Sequence, residues 1–264
     1  MMGYQAIEFD IRDNVAWITL NRPAAFNAIN LQAVKELYEV ANRCGSDKSV
    51  RAAVLTGSGS KAFCAGGDVA DFAANADKIE TLVKEMTGYL HMAVSRFAWM
   101  RAPLVGAING VAAGGGLSLA LACDLAIAAD NATFSSAYTR IGFTPDGSST
   151  FFLTRLLGRR RAMEMFLTNR VLSAQEALDW GLVNRVVAAK DLMEEAKKLA
   201  EQLARGPTRA HGGIKKLLQM AQVDSLESQM ERETRSIAEM GSSKDGLEGV
   251  KAFVEKRKPS FTGD

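Results

Sequence analysis

The stretch Ala113-Gly114-Gly115-Gly116-Leu117 places a glycine triplet between two apolar segments. The segment before it, Leu104 to Ile108, is typical of a buried strand, and the segment after it, Leu117 to Ala122, has a helix-like composition. Glycine lets the backbone approach a ligand closely, and the first N–H groups of a helix lack partners within the helix. The triplet therefore predicts either a site for an anion or a developing oxyanion, or simply tight packing.

A second glycine loop, Lys61-Ala62-Phe63-Cys64-Ala65-Gly66-Gly67-Asp68, follows the strand-like segment from Ala52 to Gly57. Both loops are thus expected at the carboxyl ends of strands, which is where open α/β sheets bind ligands. Two backbone N–H groups from two such loops could converge on one carbonyl oxygen and form an oxyanion hole.

The paired motifs Phe63-Cys64-Ala65-Gly66-Gly67-Asp68 and Asn109-Gly110-Val111-Ala112-Ala113-Gly114-Gly115-Gly116 resemble the signature of the crotonase (enoyl-CoA hydratase/isomerase) superfamily. The likeness covers nearly the whole chain, because it begins at Leu20-Asn21-Arg22-Pro23 and continues through 177–183 to 253–257. It implies an α/β fold, the ClpP-like spiral of ββα units, followed by a C-terminal helical trimerisation region.

The resemblance also implies an acyl-CoA enzyme. The backbone N–H groups of Gly67 and Gly115 would hold the thioester oxygen and stabilise an enolate or a tetrahedral adduct. CoA would be part of the substrate, and neither a metal nor a redox cofactor is implied. The expected assembly is a homotrimer or a dimer of trimers.

Composition agrees with this interpretation. With 264 residues, of which 47% are hydrophobic, the chain can bury a large core. A formal net charge of +2 provides little electrostatic attraction for nucleic acid. Cys44, Cys64 and Cys123 lie far apart, without metal-like spacing, which favours a reducing compartment. The first residues carry no basic region or apolar signal core, and the sequence contains no run of about 18 apolar residues. We therefore expect a soluble, cytoplasmic protein without a membrane partner.

Periodicity predicts the order of the elements. Ala6 to Asp10 and Ala16 to Leu20 alternate around a turn, and Leu31 to Asn42 has helical spacing. The strand-like segments from Val50 to Thr56, from Leu104 to Ile108 and from Leu125 to Ala128 are separated by helix-like stretches, as an α/β layer requires.

The C-terminal part differs in character. Ser173-Ala174-Gln175-Glu176 predicts a capping box at a helix start, and from Asp191 onward the chain is nearly all helix-like, with breaks at Gly206-Pro207 and Gly241-Ser242. We therefore predict a boundary near Lys190. Residues 1–190 would form the spiral core with the acyl-CoA site, and residues 191–264 the helical oligomerisation region.

Two positions disfavour simple hydration. Hydratases of the superfamily carry one glutamate two residues after the glycine triplet and another in the next strand loop, where this chain has Ser118 and Tyr138. Neither is a carboxylate base near neutral pH, since the reference pKa of tyrosine is about 10. Ser118 is expected to be a small residue facing a helix neighbour, whereas Tyr138 either lines the acyl pocket or fills core.

Asp146, in Thr144-Pro145-Asp146-Gly147-Ser148-Ser149, is the remaining acid or base. An aspartate placed after proline and before a helix-like run could simply be an N-cap. The resemblance adds a second interpretation, because isomerases of the superfamily, including the ring-epoxide isomerase of phenylacetyl-CoA breakdown, have their aspartate at this position. Asp146 would then move a proton along the acyl chain.

Resemblance to the 4-chlorobenzoyl-CoA dehalogenase branch implies different chemistry. There the aspartate at the Asp146 position is a nucleophile, and a histidine base lies where this chain has His91. The two tryptophans that enclose the aromatic ring in that branch correspond to Leu90 and Tyr138, which argues against dehalogenation. His91 could equally be a structural residue.

Resemblance also suggests how CoA would be held. Ala65 and Asp68 belong to the loop that resembles the adenine-binding turn, and Phe253 and Lys256 would meet the adenine and the 3′-phosphate, often across a subunit boundary. A non-catalytic alternative remains, because some members of the superfamily are scaffolds or RNA binders. The modest charge argues against RNA, and retention of both glycine loops with Asp146 favours catalysis.

Overall fold

The described part of the chain, residues 3–264 of a computed structural model, opens with a β-hairpin. Strand β1 (Ile7–Arg12) pairs antiparallel with β2 (Val15–Leu20), as the alternation predicts. Asp13 and Asn14 connect them with φ angles of 52° and 63°, the left-handed conformation that a two-residue hairpin turn requires.

After the hairpin, successive turns of the chain give one strand to each of two sheets. The larger sheet has the order β1-β2-β3-β5-β7-β10, and the smaller has the order β4-β6-β8-β9. This confirms the predicted spiral of ββα units. The remaining strands are β3 (Ala52–Gly57), β4 (Ala62–Cys64), β5 (Leu104–Ile108), β6 (Val111–Ala113), β7 (Leu125–Ala129), β8 (Thr133–Ser135), β9 (Leu172–Ser173) and β10 (Arg185–Val187).

Helices cover the sheets and form the C-terminal region. The predicted capping box forms, because the Ser173 hydroxyl accepts from the Glu176 N–H while the Glu176 carboxylate accepts from the Ser173 N–H. The helices are α1 (Leu31–Ser46), α2 (Val69–Ala74), α3 (Ile79–Trp99), α4 (Gly115–Leu121), α5 (Ser149–Thr168), α6 (Ala174–Trp180), α7 (Leu192–Ala204), α8 (Thr208–Met220), α9 (Leu226–Gly241) and α10 (Lys244–Val254).

Two apolar clusters hold these layers together. The larger lies between the two sheets and helices α1, α3 and α4, and it includes Phe63, Phe97 and Phe134. In the second, the buried alanines of α7 pack on the opposite face of the large sheet, against residues such as Val105 and Ile127. Helix α7 thus covers the sheet, and a functional division near Lys190 stays a prediction.

The last residues are tied back onto the C-terminal helices. The buried Asp245 carboxylate accepts from the Thr262 and Gly263 N–H groups at 2.7 and 2.8 Å. Arg51 donates to the Gly206 and Phe261 carbonyl oxygens, which joins this tail to the end of α7. Across residues 3–264, the helices lack the combination of length and apolar character needed to cross a bilayer.

Candidate active site

The two glycine loops meet beside Ile29. The Ile29 N–H donates to the Gly66 carbonyl oxygen at 2.7 Å, and the Asp68 N–H donates to the Ile29 carbonyl oxygen at 2.9 Å. Successive N–H groups of this extended segment point in opposite directions, so the N–H of Gly67 points away from Ile29. Within residues 3–264, neither that N–H nor the N–H of Gly115, the first residue of α4, donates to a protein acceptor. Both are available to a ligand.

Close approach of these loops depends on the missing side chains. A Cβ on Gly66 would lie 2.9 Å from the Ala113 carbonyl oxygen and 3.3 Å from the Gly115 nitrogen, and Gly66 has a φ of +100°. A Cβ on Gly116 would lie 2.0 Å from the Cys64 carbonyl oxygen. The glycines therefore bring the two backbones together, as the sequence predicts.

A cavity of about 670 Å³ opens in front of the glycines. Its walls come from α1, α2, α3 and the loop that follows β8, and the Phe72 and Phe143 rings lie 5.8 Å apart within it. The volume and lining fit an apolar group with a few polar contacts. The larger apolar side chains of the lining are Ile29, Val34, Val69, Phe72, Ile79, Val83, Met86, Leu90, Ile141 and Phe143.

Asp146 lines the same cavity as Gly67 and Gly115. The Tyr138 hydroxyl donates to its Oδ1 at 2.6 Å. The carboxylate does not cap α5, because Ser148 occupies the N-cap position and the Ser149 N–H and hydroxyl donate instead to the main-chain oxygen of Asp146. The N-cap interpretation of this carboxylate is therefore wrong, and the side chain is free to contact a ligand in the cavity.

Ser118 and Tyr138, the two positions that lack glutamates, lie side by side. Their hydroxyl oxygens are 2.9 Å apart, and the Ser118 hydroxyl also lies 2.9 Å from the main-chain oxygen of Asp146. Burial and the neighbouring Asp146 charge raise the pKa of Tyr138 above its ordinary value, so its hydroxyl stays protonated. Tyr138 lines the cavity, as one of its two predicted interpretations states. Ser118 contacts both partners, and no local sequence pattern indicates these contacts.

His91 reaches the backbone next to Asp146. Its Nε2 accepts from the Gly147 N–H at 3.1 Å, while the residue as a whole is exposed on α3. The structure thus brings His91 close to the aspartate but engages its ring nitrogen with the main chain. This contact would orient the segment that carries Asp146.

The other predicted binding residues lie in different places. Ala65 is exposed and lines the cavity. The Asp68 carboxylate is largely buried, caps α2 by accepting from the Asp71 N–H, and pairs with Arg22 at 2.8 Å. Phe253, near the end of α10, is 86% exposed. Lys256 follows that helix and is also exposed, so within one chain neither residue reaches the cavity.

Comparison with known proteins agrees with this geometry. A family model described as enoyl-CoA hydratase/isomerase matches residues 10–264. The chain belongs to the enoyl-CoA hydratase/isomerase family. It is therefore an acyl-CoA enzyme of the crotonase type.

Relatives within the family bear different names. A "Probable enoyl-CoA hydratase" of Rhodobacter capsulatus is 41% identical, over 99% of this chain and 100% of that protein. The 1,2-epoxyphenylacetyl-CoA isomerase of Escherichia coli is 38% identical, over 96% and 97% of the two chains. A 4-chlorobenzoyl coenzyme A dehalogenase of an Arthrobacter species is 41% identical, over 88% and 84%.

Solved crotonases confirm the fold. An enoyl-CoA hydratase from Polaromonas has a TM-score of 0.93 and 33% sequence identity, and the match covers 97% of this chain and 100% of that one. The similarity includes the C-terminal helices, in agreement with the fold implied by the glycine motifs.

Gly66→Ala tests whether the glycine loops build the oxyanion hole of this crotonase. The added methyl group would push against Gly115 and Ala113 at a backbone angle that alanine rarely adopts. We expect acyl-CoA turnover to fall by about 10², since loss of one oxyanion donor costs about 3 kcal/mol. Steady-state kinetics measure this effect.

Gly88→Ala is the matched control for that substitution. Gly88 is exposed on α3, and a Cβ there would have open space around it. It should leave turnover unchanged and stabilise the helix slightly. Wild-type turnover in Gly66→Ala would contradict the role given to these loops.

Proposed function

We propose that the protein is an enoyl-CoA isomerase, or a ring-epoxide isomerase, in which Asp146 moves a proton along the acyl group. The observation that carries this proposal is the carboxylate of Asp146: it lines the cavity with the two free N–H groups, and it is not used as a helix cap. CoA is part of the substrate in this proposal, and no metal or redox step is needed.

The reaction would conserve mass. With a 3-enoyl thioester, the thioester oxygen accepts hydrogen bonds from the N–H groups of Gly67 and Gly115, which makes the adjacent carbon acidic. Asp146 removes a proton from C2, the electron pair delocalises into a dienolate, and Asp146 returns the proton to C4. The double bond then lies next to the thioester.

Isomerisation is favoured over hydration because, within residues 3–264, the cavity lacks a second placed carboxylate. Glu80 is the other acidic residue of the described cavity lining, but its side chain is 80% exposed and pairs with Lys84. Ser118 and Tyr138 offer hydroxyl groups where a two-glutamate mechanism needs a carboxylate pair. The presence of an open cavity also favours catalysis over a purely structural role.

Product identification tests the proposal. The wild-type protein would be incubated separately with 3-enoyl-CoA, 2-enoyl-CoA and 4-chlorobenzoyl-CoA, and the products identified by mass spectrometry and chromatography. We expect 3-enoyl-CoA to give a 2-enoyl product of unchanged mass. A product heavier by one water as the main outcome would show a hydratase and overturn the isomerase assignment.

Dehalogenation is a second candidate, favoured by the 41% identity to a 4-chlorobenzoyl coenzyme A dehalogenase and by His91 beside the aspartate segment. Asp146 would then attack the aryl ring as a nucleophile. The engagement of His91 Nε2 by the Gly147 N–H speaks against a free histidine base. Chloride release with formation of hydroxybenzoyl-CoA would establish this reaction.

We further propose that the chain assembles as a homotrimer or a dimer of trimers in the cytoplasm. Support for assembly comes from exposed apolar side chains on α8 and α10, among them Leu218, Leu247 and Val250. Phe253 and Lys256 would meet the CoA nucleotide of a neighbouring subunit. The three cysteines are free, which fits a reducing compartment.

A further inference from the structure

The two carboxylate oxygens of Asp146 have different surroundings. Oδ1 accepts a short hydrogen bond from the Tyr138 hydroxyl, whereas Oδ2 has no donor among residues 3–264. We infer that Tyr138 is a positioning residue that holds Oδ1, so that Oδ2 alone exchanges the proton with the substrate. This inference rests on the proposed function.

Hydrogen counting fixes the direction of these bonds. The Tyr138 hydroxyl has one proton, and a carboxylate can only accept, so that proton lies toward Oδ1. The Ser118 hydroxyl also has one proton, which it can give to the Tyr138 oxygen, to the main-chain oxygen of Asp146 or, at the longer distance of 3.4 Å, to the Gly114 carbonyl oxygen. Ser118 thereby supports both the tyrosine and the backbone of the aspartate.

Burial strengthens this arrangement. Ser118 is fully buried on α4, the helix that begins with the oxyanion glycine Gly115. Because Ser118 lies one helical turn from Gly115, its contacts connect the element that presents the N–H group with the loop that presents Asp146. Ser118 thus links the helix that presents the oxyanion donor to the loop that carries the proton-transferring group.

The bond to Oδ1 also affects the chemistry. It is stronger when Asp146 is a carboxylate than when Asp146 carries the substrate proton on Oδ2. Tyr138 therefore favours return of the proton from Oδ2 to the dienolate and keeps Oδ2 directed at the cavity during both transfers. No atom of Tyr138 is gained or lost in the reaction.

Tyr138→Phe tests this assignment, with 3-enoyl-CoA as substrate. We expect kcat to fall about tenfold with little change in KM, because the carboxylate loses its fixed orientation. Exchange of the substrate's C2 proton with deuterated water should slow by a similar factor, since a carboxylate that is not held in place removes that proton less often. A tyrosine that only fills space would leave this exchange rate unchanged, because phenylalanine fills the same space.

Controls separate the possible outcomes. Tyr4→Phe removes a phenolic hydroxyl next to Phe9, outside the cavity, and should leave kcat and the exchange rate unchanged. Ser118→Ala should lower both rates, but by less than Tyr138→Phe. Thermal unfolding and the Kd of hexanoyl-CoA, which has no double bond to move, report whether each variant folds and binds.

An unchanged kcat and exchange rate in Tyr138→Phe, with Asp146→Asn inactive, would overturn the assignment while leaving the proposed function intact. Failure of the wild-type protein to isomerise 3-enoyl-CoA would overturn both. A lower kcat and a slower proton exchange in Tyr138→Phe, together with normal hexanoyl-CoA binding, would support the assignment.

Discussion

Asp146→Asn is expected to lower kcat/KM for 3-enoyl-CoA by about a thousandfold, which corresponds to about 4 kcal/mol of transition-state stabilisation. The asparagine amide has nearly the same shape, and its oxygen can still accept from the Tyr138 hydroxyl. It cannot take up the substrate proton at neutral pH. The loss should therefore appear in the chemical step and not in thioester binding.

Three measurements complete this test. The Kd of hexanoyl-CoA should stay within about threefold of the wild-type value, since the Gly67 and Gly115 N–H groups are unchanged. Exchange of substrate protons with deuterated water should disappear in Asp146→Asn, because exchange requires the base. Asp179→Asn, an exposed aspartate on α6 outside the cavity, is the matched control and should behave like the wild-type protein.

Full retention of activity in Asp146→Asn would contradict the acid/base role. Loss of activity without loss of proton exchange would point instead to a positional effect. If Asp146→Asn abolished chloride release from 4-chlorobenzoyl-CoA, and the wild-type protein moved no double bond, Asp146 would be a nucleophile.

Elements set by local patterns were predictable from the sequence. The hairpin at Asp13-Asn14, strand β5 and the Ser173 capping box form as expected, because alternation and capping involve residues only a few positions apart. The start of α4 was harder to predict from the sequence. It begins at Gly115 instead of at Leu117, since tertiary packing against the Cys64 backbone overrides the low helix propensity of glycine.

Asp146 shows where local patterns stop being informative. A proline, an aspartate and then serines before a helix fit an N-cap as well as an active site. The deciding contacts come from Tyr138, 8 residues earlier, and Ser118, 28 residues earlier. Such contacts depend on how two ββα turns stack on each other. The hydrophobic periodicity of the sequence does not specify this stacking.

The buried Lys215 was likewise beyond sequence-based reasoning. It lies on the amphipathic helix α8, where a lysine normally faces solvent, yet its ammonium group donates to the carbonyl oxygens of Phe97 and Ala102. These partners are 118 and 113 residues away in the sequence. Lys215 therefore anchors the C-terminal helices to the end of α3, and this contact makes a strong prediction for stability.

Lys215→Met is expected to lower the free energy of unfolding by about 3 kcal/mol. The ammonium group lies 2.7 Å from Asp124 Oδ2 and 2.8 and 3.1 Å from the two carbonyl oxygens, so its removal leaves three acceptors without this donor. The Asp124 side chain is one quarter exposed, which limits its own share of the loss. Chemical denaturation at neutral pH measures the effect.

The loss of unfolding free energy in Lys215→Met should depend on pH with a defined sign. Burial raises the pKa of Asp124 even in the presence of Lys215, which opposes the increase. Without the lysine the folded-state pKa rises further above the unfolded value, so the native state binds this proton more tightly than the unfolded chain. The deficit of Lys215→Met should therefore be larger at about pH 8 and shrink as the pH falls toward about 5.

Two further variants identify the cause. Lys216→Met changes the neighbouring exposed lysine and should leave the free energy of unfolding within about 0.5 kcal/mol of the wild-type value. Asp124→Asn combined with Lys215→Met removes the uncompensated charge, while the amide oxygen can still accept from the Leu104 N–H. Recovery of part of the stability in the double variant would attribute that part to the charge, and the remainder to the two carbonyl oxygens. An equal deficit in the single and double variants at every pH would show that Asp124 carries no significant charge penalty, because only the carbonyl oxygens would then account for the loss.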